Sequence, residues 1–87
     1  MTMGEFLRRE ILKHYKSIRA FSRDSGFSET TVLNWVNDRN PVPLSRLAIL
    51  AEYFSELDDS PPNIFIMKMV FRHPEVIKVM ARWRDQQ

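Results

Sequence analysis

Apolar residues recur along most of the chain at three- and four-residue spacing, and prolines at 41, 43, 61, 62 and 74 punctuate the segments between them. In "GEFLRREILKHY", residues 4–15, Phe6, Leu7, Ile11 and Tyr15 form one stripe, with Arg8, Arg9, Glu10 and Lys13 away from it. That pattern predicts an amphipathic first helix. Ser17 stands where it can cap a short second helix with Ile18, Phe21 and Ser22 at helical spacing, and Gly26 supplies the left-handed residue that stops it. Ser28 then caps a third helix running to about Asn37, with Val32 and Trp35 as inward anchors. Glu29 sits in its first turn, where a carboxylate suits the helix dipole.

"NDRNPVP" cannot continue that helix. Pro43 or Leu44 opens a fourth helix, with Leu44, Leu47, Ala48, Leu50, Ala51 and Phe54 on a broad face expected to be the main wall of the core. The acidic "SELDDSPPN" reads as a connector, with Ser60 as the cap of the next element. Residues 64–72, "IFIMKMVFR", fit a buried helix or a strand, because Phe65, Met67, Met69 and Phe71 alternate. A helix is favoured, since Ser60-Pro61-Pro62 is a helix start and no other segment offers a partner strand. Pro74 begins a last helix, with Val76, Ile77, Met80 and Trp83 on one face and Lys78, Arg82 and Arg84 off it.

The expected architecture is all-α, a bundle of about five to six helices divided as residues 1–56 and a C-terminal helical extension, 57–87, on the same core. A length of 87 residues suits one compact core, and 44% apolar with 28% charged residues is an ordinary globular composition. With no cysteine there is no disulfide framework, thiolate metal site or thiol nucleophile. His14 and His73 have no second ligand pattern near them, so no metal or other cofactor is expected. Neither a Gly-rich phosphate loop nor a His cluster is present, so an enzyme is not expected. The N-terminal "MTMGEFLRRE" is not a signal peptide, and no apolar run reaches the roughly 20 residues of a membrane span. The expected location is cytoplasmic.

Net charge is only +2, but its distribution is uneven. Residues 1–23 carry Arg8, Arg9, Lys13, Lys16, Arg19 and Arg23 against Glu5 and Glu10, whereas 55–63 carry Glu56, Asp58 and Asp59 without a base. Two short helices about a glycine turn are the helix-turn-helix arrangement, whose second helix enters the DNA major groove. "IRAFSRDSGFSETTVLNWV", residues 18–36, resembles that motif in the lambda-repressor-like (Cro- and CI-type) family, and with the flanking helices the resemblance covers about residues 5–54. Phe21, Gly26, Phe27, Val32 and Trp35 match its core and turn positions. The resemblance implies that Ser28, Glu29, Thr30, Leu33 and Asn34 face DNA bases. Ile18 stands where the family often has a phosphate-binding Gln, so Ser17 or Arg19 takes that contact. Ser22 replaces a usual Ala.

The residue chemistry agrees with this assignment. Asn34 can bond adenine bidentately, Thr30 and Leu33 can meet thymine methyls, and Glu29 can accept from a cytosine amino group. Lys16, Arg19, Arg23, Arg39 and Arg46 are phosphate or flanking candidates. Phe65, Met67, Met69, Phe71, Met80 and Trp83 exceed what a small core needs and are expected to form a homodimer interface. The expected function is sequence-specific double-stranded DNA binding by a transcriptional repressor, acting as a homodimer on a palindromic operator, with no small-molecule effector. The alternative is a DNA-binding antitoxin or adaptor whose C-terminal helices bind a different protein.

Overall fold

The computed structural model describes residues 1–86 as six helices, α1 (Met3–His14), α2 (Ile18–Ser25), α3 (Glu29–Val36), α4 (Leu44–Asp58), α5 (Pro62–Val70) and α6 (Pro74–Asp85), with no strand among the described residues. α1 begins earlier than the apolar stripe suggests. Thr2 caps it, accepting from the Glu5 N–H, while the Thr2 N–H donates to the Glu5 carboxylate at 3.1 Å. This Thr-x-x-Glu reciprocity satisfies two donors that a helix start otherwise leaves open. Ser17 caps α2, and Gly26 ends it at φ 84°, a conformation that costs glycine little.

The core is built around Phe54 of α4. Its ring lies nearly parallel to Phe21 of α2 at 5.7 Å and stacks, tilted by 28°, on Phe65 of α5 at 5.2 Å, and Phe65 in turn meets Phe6 of α1 at 5.9 Å. Phe6, Leu7, Ile11, Val32, Trp35, Val42 and Leu50 close the rest. Burial of this apolar surface is the main drive for folding.

Residues 64–72 resolve as helix, and the alternation that suggested a strand divides at four-residue spacing. Phe65 and Met69 point inward, at 7% and 0% exposure, while Met67 and Phe71 are more than half exposed. Phe65 and Met69 are therefore core of the single chain, which corrects their expected place in a dimer interface. α4 also differs from expectation. Leu47, Leu50, Ala51 and Phe54 are buried, but Leu44 and Ala48 are exposed. The inward stripe is narrower because those two lie on a flank that no helix covers. α4 runs on to Asp58, through the expected 56/57 boundary, and takes much of the acidic connector into its last turn. Asp59, in the left-handed region at φ 50°, ends it.

Ser60 does not cap α5. Pro61 holds the N-cap position without a side-chain bond, and the Ser60 carbonyl accepts from the Ser55 hydroxyl instead. Glu10, expected on the outer face of α1, is buried and paired with Lys13 at 3.1 Å. Among the described residues, none in α6 is buried. Its Ile77, Val79, Met80 and Trp83 are 46 to 63% exposed. None of the helices is long and apolar enough to cross a membrane.

Candidate nucleic-acid interface

α3 is short and two-sided. Val32, Trp35 and Val36 are buried, with Trp35 edge-on to Phe27 at 5.4 Å. At 100° per residue, Thr30, Leu33 and Asn34 fall on the other side, while Glu29, seven residues before Val36, stands in the first turn at the edge of the inward face. Glu29 and Thr30 are exposed, whereas Leu33 and Asn34 are half-buried. Leu33 also leans on the core, so its outer edge alone is free.

The start of α3 is closed by its own cap. The Ser28 hydroxyl accepts from the Thr31 N–H at 3.1 Å and donates to the Thr31 hydroxyl at 2.8 Å. Ser28 is thus committed to holding the helix end, and Thr31, which the sequence pattern did not single out, is its partner. Glu29 lies 3.9 Å from Arg19 of α2, both substantially exposed. Such a pair contributes little stability. Its effect is electrostatic: a cation offsets the one carboxylate of α3.

The far end of α3 is fastened to α1. Asp38, in the left-handed region at φ 59°, accepts from the Gly4 N–H at 2.9 Å and from the Thr2 hydroxyl at 2.6 Å. Arg8 donates to the Asn37 side chain at 2.8 Å. Gly4 permits the approach, since a Cβ there would lie 2.5 Å from the Trp35 carbonyl and 2.8 Å from that of Val36. The Thr2–Glu5 spacing could have revealed this cap; the Asp38 and Arg8 contacts span 29 or more residues and leave no sequence signal.

Asn34 faces the turn after α3. Its side-chain oxygen accepts from Arg39 at 3.3 Å, and its backbone carbonyl accepts from the Arg39 and Asn40 N–H groups. Arg46 of α4 shares a surface hollow with Gly26, Phe27, Ser28 and Thr31, which sets it beside the α3 N-terminus. Lys16, Ser17, Arg19, Arg23, Arg39 and Arg46 are all exposed. The Ser17 hydroxyl, however, accepts from the Ala20 N–H as the α2 cap. Among the described residues, Arg19 and Arg39 contact α3 side chains and Arg46 borders its N-terminal hollow, whereas no hydrogen bond or ion pair ties Lys16 or Arg23 to it.

A second polar cluster lies where α1, α2 and α4 meet. The hydroxyls of Tyr15 and Tyr53 both donate to Asp24 and also contact one another. The Tyr15 hydroxyl, and then that of Tyr53, holds the Asp24 carboxyl below the usual range. Burial, and then that carboxylate, pushes both phenols up. Among the described residues, no group of three His, Cys, Asp or Glu side chains is placed to hold a metal ion. Searches of protein-family models, curated proteins and solved structures found no match to this chain.

Proposed function

We propose that this chain is a sequence-specific double-stranded DNA-binding regulator of the lambda-repressor-like helix-turn-helix kind, a repressor acting as a homodimer on a palindromic operator. The observation that carries the reading is the two-sidedness of α3. Its inward residues are used by the core, and its outward residues Thr30, Leu33 and Asn34, with the exposed first-turn Glu29, have the sizes and hydrogen-bonding groups that read base edges. Arg19, Arg39 and Arg46, which contact α3 or border its start, and the exposed Lys16 and Arg23 are the phosphate contacts of this reading. Asn34 reads adenine once Arg39 turns from it to the backbone of the DNA. Glu29, offset by Arg19, accepts from a cytosine amino group.

Selection of bound sequences from a random DNA pool tests this directly. A two-fold palindrome with half-sites about one helical turn apart is expected. Recovery of unenriched sequence would remove the regulator reading.

A further inference from the structure

Dimerisation on a palindromic operator requires a contact surface, and α6 supplies one. Val76, Val79, Met80 and Trp83 recur at i, i+3, i+4 and i+7, so they form one stripe along the helix. Val76 is half-buried, and beyond it no helix among the described residues covers the stripe: Val79, Met80 and Trp83 are 55, 46 and 63% exposed. At the N-terminal end of the stripe, Val76 borders an apolar hollow of about 230 Å³ whose walls include Val42, Leu44, Leu47, Val70 and His73. Leu44, 79% exposed, is otherwise an unexplained apolar residue at the start of α4. At the other end of the stripe stands Trp83, about 10 Å away along the helix axis at 1.5 Å per residue.

We infer that two copies pair through α6 about a two-fold axis, antiparallel, with Trp83 of each seated against Val76 and in the hollow of the other. An antiparallel two-fold contact carries the C-terminal end of one stripe to the N-terminal end of its mate, so the ring and the hollow meet twice. Val79 and Met80 pack on each other near the axis. The charges select a second copy and this direction. Glu75 and Arg82 lie on the same flank of the stripe, seven residues apart. Antiparallel pairing sets Glu75, whose contact within its own helix is the exposed Lys78 at 3.6 Å, opposite Arg82 of the second copy at both ends, whereas parallel two-fold pairing would turn that flank of the second copy to the far side and leave both residues unmatched. The helix dipoles oppose each other favourably in the same arrangement. Met67 and Phe71 of α5, though exposed, are not needed for this contact.

The inference rests on the dimeric part of the proposed function. Sedimentation equilibrium of the full chain tests it. The wild type is expected to dimerise, and Trp83→Lys to weaken self-association at least about tenfold with an unchanged helical spectrum, since Trp83 has no role in the core. Glu75→Arg and Arg82→Glu should each weaken it about tenfold by placing like charges at both ends, and the double exchange should restore it. Unchanged self-association in Trp83→Lys, or no recovery in the double exchange, would overturn the geometry. A wild type that stays monomeric would also overturn it and leave the stripe to a different protein. The two readings separate cleanly. A dimer that obeys these variants but selects no DNA sequence keeps the assembly and removes the regulator, while a monomer that still selects a sequence does the reverse.

Discussion

Single side chains decide how firmly α3 is held and what it presents to solvent. Asn34 is half-buried and its side-chain oxygen accepts from Arg39, a bond that has to be exchanged for the base if Asn34 is to read adenine. On the proposed reading, Asn34→Ala should cost about 1–3 kcal/mol at the selected sequence and little on random DNA. Equal losses on both, measured by competition binding, would show that it reads no base. Ser22 makes a prediction of the opposite sign. Its hydroxyl is buried without a hydrogen-bond partner, so Ser22→Ala should raise stability by about 1 kcal/mol in denaturant unfolding. The oddity of Ser22 was legible in the sequence as a hydroxyl in a small-residue position. The pairing of Glu29 with Arg19 and of Ser28 with Thr31 was not, because spacing along a helix says which residues share a face but not which neighbour a polar group chooses.

Among the helices, α3 is held as a lever clamped at its far end. Asp38 and Asn37 bind the first turns of α1, and Gly4 lets the two backbones meet. Gly4→Ala should force them apart, destabilise the fold by about 1–3 kcal/mol, and weaken DNA binding beyond the fraction unfolded. A melting temperature within error of the wild type would dismiss the clamp. Helix existence was well marked by period and by the caps Ser17, Gly26 and Ser28. The ends and the faces were less so. The broad apolar face of α4 and the alternation in α5 each contained more apolar residues than the core takes, and which of them turn inward depends on where α1, α2 and α5 lie. Phe65 and Met69 went to the core for that reason, and Met67 and Phe71 did not.

At the scale of the whole molecule, Tyr15, Asp24 and Tyr53 join three helices through contacts 9 to 38 residues apart, a link with no local pattern to announce it. The Asp24 carboxyl is lowered in the folded state, so its contribution is present above the unfolded value of about 4 and is lost as pH falls through the lowered one. The two phenols are raised, so their contribution holds below about pH 10 and is lost as pH rises beyond it. Asp24→Asn should lower stability at neutral pH and flatten its decline below about pH 4, followed by denaturation midpoint against pH. Parallel curves for variant and wild type would rule the cluster out. If Arg19, Arg39 and Arg46 each neutralise a phosphate, the logarithm of affinity should fall with that of salt at about 0.9 per contact, and each Arg→Ala should reduce the slope by about that amount. The two tryptophans, one 4% and the other 63% exposed, also make the chain its own optical instrument. Emission from Trp35 reports whether the core is closed, and iodide, which reaches only an exposed indole, quenches Trp83 alone. Folding and assembly can then be followed separately in one unlabelled sample, the first as a wavelength shift and the second as protection from the quencher.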